Sequence, residues 1–221
     1  MTMATQRRIL LPIRPVVGKP GRFVDPRTGK KFDISQMYEG EKYDTVEVPA
    51  ASLSSGTHYF FQNLANKNAI DTNFKTQNRL DANEKMVLER IGVYVRQATG
   101  SARLGSADLL ALANDTRAYF SVNGDVIKQG PLAFWPSGFG LAGSINETAG
   151  SAVSIVGIGV PSTSAVQRLR RRQMLTPEHQ LEGALIYESR SWLSSYTAAT
   201  LSAHALVTMV LQGLISRPAT R

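Results

Sequence analysis

Met86-Val87-Leu88-Glu89-Arg90-Ile91-Gly92-Val93-Tyr94-Val95-Arg96 is the stretch on which the fold turns. Its second half alternates strictly, with Ile91, Val93 and Val95 on one face and Arg90, Gly92, Tyr94 and Arg96 on the other. A period of two marks a half-buried strand, because successive side chains leave opposite faces of an extended backbone. Downstream, Arg117-Ala118-Tyr119-Phe120-Ser121-Val122 and Asp125-Val126-Ile127 flank Asn123-Gly124. Asn-Gly accepts the positive φ angles of a two-residue turn, so this segment reads as a β-hairpin.

Other strands surround these. Thr57-His58-Tyr59-Phe60-Phe61-Gln62 is rich in aromatic side chains that fit a pleated surface. Residues 181–188 and 205–215 read as strands, the latter with Val207, Met209, Leu211 and Ile215 on one face. Residues 151–160 read as a further strand, bent at Gly157 and Gly159. Residues 71–84, dense in Asp, Asn and Thr, read as a connection. Pro131-Leu132-Ala133-Phe134-Trp135-Pro136-Ser137-Gly138-Phe139-Gly140 is an aromatic and glycine loop expected to pack against the end of a sheet. Only two short helices are expected: one over 107–113, capped by Ser106 and ended by Asn114-Asp115, and a basic one over 164–175. Strands joined by turn-rich connections, with so little helix, point to an all-β sandwich or barrel rather than to βαβ units.

Residues 1–50 read differently. Pro12, Pro15, Pro20, Pro26 and Pro49, with Gly18, Gly21, Gly29 and Gly40, interrupt regular structure and predict an extended amino-terminal arm ahead of a β domain over 51–221 with a short polar tail. The arm's apolar side chains Ile9, Leu10, Leu11, Ile13, Val16 and Val17 are too scattered for a core of their own. They suit contact with a neighbouring subunit. The apolar run 9–13 is too short for a secretory core, so export by this route is not expected.

The chain has 221 residues, 43% of them hydrophobic, enough to build a core without metal or disulfide staples. It contains no cysteine, which removes disulfides, thiolate metal sites and cysteine nucleophiles from the possible chemistry. Its apolar runs fall short of the ~20 residues that span a bilayer as a helix. The formal net charge of +8 favours anionic partners. The excess sits at the ends: 9 basic against 6 acidic residues in 1–50 and 7 against 3 in 151–221, but 3 against 4 in 101–150.

No constellation of catalytic residues emerges. Gly138-Phe139-Gly140-Leu141-Ala142-Gly143 fits a dinucleotide-loop spacing, but Pro136 precedes it and a poor helix former follows it. His58, His179 and His204 lie far apart without metal-ligand spacing, and no nucleophile elbow surrounds any serine. Glu39 and Glu41 read as solvated charges of the arm. The two Asn-x-Thr triplets at Asn114 and Asn146 carry no meaning without a secretory route. Tyr59-Phe60-Phe61 and Phe134-Trp135 read as core. Hence no catalytic residue, cofactor, metal or small-molecule substrate is expected.

The densest charge is Arg168-Leu169-Arg170-Arg171-Arg172, four guanidiniums in five positions. They suit an anionic partner: nucleic acid, a lipid headgroup or an acidic neighbour. Arg7 and Arg8 share that reading. No aromatic is interleaved, so stacking on single-stranded bases is not indicated.

The order of Tyr59-Phe60-Phe61, Asp71-Thr72-Asn73, Glu89-Arg90-Ile91-Gly92-Val93-Tyr94-Val95, the proline and glycine loop 131–140 and the ending Leu211-Gln212-Gly213-Leu214-Ile215-Ser216-Arg217-Pro218 resembles the jelly-roll capsid proteins of tailless icosahedral bacteriophages, particularly those with an internal membrane. The likeness covers about residues 50–218. It implies one jelly-roll β-sandwich of eight antiparallel strands, and self-assembly with copies of the chain and other capsid subunits into an icosahedral virion shell put together in the host cytoplasm. It also implies termini that clamp neighbours and a basic face near the viral genome or membrane headgroups. On this reading, deletion of residues 1–45 leaves a folded core and impairs assembly. The competing reading is a β-sandwich that binds nucleic acid or a phosphorylated polymer through Arg168, Arg170, Arg171 and Arg172. A jelly-roll carbohydrate binder or hydrolase is disfavoured, because no strand frames paired acids.

Overall fold

The computed structural model describes residues 14–15, 22–24, 29, 31–33, 37–50, 56–98, 104–135, 168–187 and 200–216. Three short strands, β1 (Arg14–Pro15), β2 (Arg22–Val24) and β3 (Lys31–Asp33), pair antiparallel as a small sheet. Eight more strands form the body: β4 (Met37–Val48), β5 (Gly56–Phe60), β6 (Met86–Gln97), β7 (Thr116–Val122), β8 (Asp125–Pro131), β9 (Arg168–Leu175), β10 (Leu181–Tyr187) and β11 (Ala205–Ser216). Among the described residues one α-helix, α1 (Ser106–Asp115), lies between β6 and β7.

The eight strands lie in two antiparallel four-stranded sheets, ordered β4-β11-β6-β9 and β5-β10-β7-β8. The first strand of the body pairs with its last (β4 with β11), the second with the seventh (β5 with β10), the third with the sixth (β6 with β9) and the fourth with the fifth (β7 with β8). A long hairpin wrapped over on itself gives this order, which is the jelly roll. The fold expected from the sequence is therefore the fold found.

The two inner faces share one core. Ile91, Val93, Val95, Val207, Met209 and Leu211 from one sheet meet Phe60, Phe120, Val122, Leu181 and Leu185 from the other. Phe61 bridges the ring systems, with centroids 4.7 Å from Phe74 and 6.3 Å from Phe120. Alternation along β6 changes phase at Glu89: Met86 and Leu88 are buried before it, and Ile91, Val93 and Val95 after it. A β-bulge there, with Leu88 opposite Gly213 and Arg90 opposite Gln212, returns both halves of the strand to the core. The hairpin turn is as expected, with φ of 53° at Asn123 and 82° at Gly124.

Three expectations are corrected. The segment 1–50 is not an arm throughout, since Met37–Val48 pairs with β11 along its whole length and the sandwich begins at Met37. Its strand signal was hidden because two inward positions, Lys42 and Asp44, are charged. Both are buried and partnered: Lys42 reaches Glu84 at 2.5 Å, and Asp44 meets Lys67 at 2.9 Å. Second, the basic helix does not form over the described part of 164–175, where Arg168–Leu175 is strand β9. Leu, Arg, Gln and Met favour helix, but Gln173, Met174 and Leu175 continue the ladder of Leu88, Val87 and Met86, and pairing overrides propensity. Third, α1 is capped by Gly105 rather than Ser106, with the Asp108 carboxylate accepting from the Gly105 N–H at 2.9 Å. The strand expected over 151–160 lies outside the described residues.

The loop after β8 seals the core. Leu132–Phe134 form one 3-10 turn and Trp135 is wholly buried. The Trp135 carbonyl accepts from the Val93 N–H at 3.0 Å, beyond the point where β9 leaves β6, and its indole N–H donates to the Gly130 carbonyl at 3.2 Å.

Candidate assembly surface

The basic cluster lies on an edge. Strand β9 borders the sheet β4-β11-β6-β9, and its register with β6 jumps from Leu88↔Gln173 to Arg90↔Arg168. Leu169, Arg170, Arg171 and Arg172 thus bow outward opposite the single residue Glu89. Leu169 packs against the core and holds the bow down, while all four arginines are exposed. The Arg172 Nε donates to Glu89 Oε1 at 3.0 Å, so the bulge residue fixes one guanidinium. Arg170 and Arg171 border a recess whose other wall is Asp125, Val126 and Ile127 of β8, the neighbouring edge of the second sheet. Arg168 and Arg170 have no ion pair among the described residues.

The opposite edge of the same sheet is acidic. Along β4 the even positions Lys42, Asp44, Val46 and Val48 are buried, and the odd positions Glu39, Glu41 and Glu47 are exposed. Glu41 accepts from the Gln212 side-chain amide at 3.0 Å, and Glu47 bonds His204 Nδ1 at 2.6 Å. The backbone margin of β4 is already occupied in its middle. Tyr43 N–H donates to Asn73 Oδ1 at 2.9 Å, and Asn73 Nδ2 donates to the Glu41 carbonyl at 2.7 Å. Such plugging blocks strand addition, a common hazard of sheet edges. Glu39 and Glu41, expected in an arm, belong instead to this strand, as does Glu47. The period-two spacing of the three glutamates was the available signal.

The sheet's outer face carries a second apolar cluster, Val87 and Met174 with Met37 and Leu214 packed on it. Phe134, expected in the core with Trp135, is instead 62% exposed, and Tyr59, expected there with Phe60 and Phe61, is 43% exposed, while Ile70 stands on the surface at 71%.

The histidines stay apart. His58 packs on the Tyr187 ring at 5.3 Å, and burial holds its pKa below the ordinary value. His179 Nδ1 accepts from the Thr176 N–H at 3.1 Å in the β9–β10 turn. Among the described residues no group of three His, Asp or Glu gathers as a metal site, and no helix is long and apolar enough to cross a membrane. Arg7, Arg8 and the arm residues Ile9, Leu10, Leu11, Ile13, Val16 and Val17 lie outside the described residues, as do Gly138, Gly140 and Gly143.

Lys128, on β8, is a further buried charge. Its ammonium sits 4.4 Å from the Trp135 ring centroid, and burial lowers its pKa from 10.5 to about 8. The ring face favours the cation and offsets part of that desolvation. Between about pH 8 and 10.5 the unfolded chain holds this proton and the folded chain sheds it, so stability rises with pH across that window. Burial raises the pKa of Tyr119 and Tyr187, Tyr119 also bonding Glu182, so their contribution falls above pH ~10 instead. Melting temperatures from pH 7 to 9.5 are expected to climb in the native protein relative to Lys128→Met; parallel curves would contradict this assignment.

Compared with known proteins, the chain matches no family model and no curated relative.

Proposed function

We propose that this chain is a structural shell subunit, a jelly-roll capsid protein of the kind built by tailless icosahedral bacteriophages, whose work is self-assembly rather than catalysis. The observation that carries the reading is the complete jelly-roll wrap, eight strands paired first-to-last, a sandwich common to viral shells. The two edges of opposite charge support it, since repeated contacts between copies need complementary surfaces. The apolar, proline-broken segment before Met37 fits a clamp that adds buried area without enlarging the core. Its residence is then the virion. The exposed guanidiniums of Arg168, Arg170 and Arg171 favour a second reading, a binder of nucleic acid or another polyanion, which predicts steep loss of affinity with salt and no concentration-dependent oligomers.

The described boundary changes the truncation that tests the clamp. Deleting residues 1–36 spares β4 and is expected to leave the cooperative melt of the sandwich while weakening assembly, read by sedimentation velocity over a wide concentration range. Deleting 1–45 removes residues 37–45 of β4 and strips most of β11 of that partner, so the fold itself should be lost. Unimpaired particles from the 1–36 deletion would remove the clamp from the account.

A further inference from the structure

We infer that neighbouring copies dock edge to edge through charge: the acidic strand β4 of one copy, with Glu39, Glu41 and Glu47, meets the basic strand β9 of the next, with Arg168 and Arg170. The inference rests on the self-assembly reading and adds its geometry. In the order β4-β11-β6-β9 the two strands border opposite sides of one sheet, so every copy carries both halves of the contact. A contact of that kind is heterologous, runs head to tail, and closes into a ring where the rotation between copies permits.

The edges match in number as well as sign: Glu39 and Glu41 flank Gly40, and Arg168 and Arg170 flank Leu169, whose side chain packs on the core. All four side chains are exposed, and none has an ion pair among the described residues. Glu41 is held by the neutral Gln212 amide, which orients its carboxylate and leaves its charge uncompensated. Because Asn73 occupies the middle of the β4 margin, side chains rather than added backbone ladders make the contact.

Arg172 is already bound to Glu89, which leaves Arg168 and Arg170 for a partner. Residues 168–175 offer no aromatic on which a base could stack. Single exposed ion pairs are weak, but pairs repeated round a closed ring act together. Screening at physiological salt, with a Debye length of about 8 Å, should therefore shift assembly strongly.

The test is a charge exchange on the full chain, with thermal unfolding as the check that each variant is folded. Arg168→Glu/Arg170→Glu leaves two acidic edges, and Glu39→Arg/Glu41→Arg leaves two basic ones. Each variant alone is expected to need about tenfold or more higher concentration to assemble than the wild type, by light scattering at low salt. The fourfold exchange Arg168→Glu/Arg170→Glu/Glu39→Arg/Glu41→Arg on one chain is expected to regain wild-type assembly, because every copy then again carries one edge of each sign. Assembly of either double variant at the wild-type concentration, or failure of the folded fourfold exchange to assemble, overturns the edge pairing. So does a defect confined to the arginine variant, which would assign that strand to nucleic acid or lipid. A wild type that stays monomeric at every concentration and salt overturns the self-assembly reading itself.

Discussion

Asp44→Ala is expected to destabilise the protein by about 3–5 kcal/mol, the usual cost of removing one partner of a buried charge pair. The Asp44 carboxylate is wholly buried, accepts both 2.9 Å bonds from the Lys67 ammonium, and accepts from the Phe61 N–H at 2.7 Å. Phe61 holds a φ of 67°, costly for a residue with a bulky side chain, and its ring is fully buried between Phe74 and Phe120. Asp44 therefore does two things. It satisfies the only backbone donor at the strained position, and it pins the connection after β5 against β4. Alanine leaves the ammonium and the N–H without a partner and frees the aromatic wedge. Asp44→Asn, which keeps an acceptor for the N–H, should lose less. Urea unfolding midpoints measure both; a loss below about 1 kcal/mol for alanine would show that water replaces these bonds at little cost.

Gly213→Ala is expected to cost about 3 kcal/mol, at the upper end of overpacking. A Cβ at Gly213 would stand 1.9 Å from the Val87 carbonyl oxygen and 3.2 Å from the Glu89 nitrogen, both backbone atoms that cannot swing aside. This close approach is what lets β11 follow β6 through the bulge at Glu89. The same bulge presents Glu89 to Arg172 and faces the bow of β9. On the shell-subunit reading, the substitution should therefore disturb the basic edge along with the fold and raise the concentration needed for assembly at temperatures where the variant is still folded. A variant that melts and assembles as the wild type does would mean that the bulge relaxes freely.

Much of the fold was legible because most strands write their burial plainly. Ile91, Val93 and Val95, the Asn123-Gly124 turn, and Val207, Met209 and Leu211 each report a pleated, half-buried backbone. Strand β4 was not legible, because Lys42 and Asp44 occupy core-facing positions and their partners, Glu84 and Lys67, come from a connection about 25 to 40 residues later. Strand β9 was misread for the opposite reason: its residues prefer helix in isolation, and only the ladder with β6 fixes them extended. The arginine cluster showed its sign in the sequence but not its place. That it borders one side of a sheet whose other border is acidic follows from strand order, which no local pattern contains.

Electron microscopy of the purified full-length protein at low ionic strength, across a concentration series, bears most directly on the shell-subunit reading. The account predicts rings or closed shells of repeated sandwiches that dissolve as salt is added. A field of single subunit-sized particles at every concentration would contradict it.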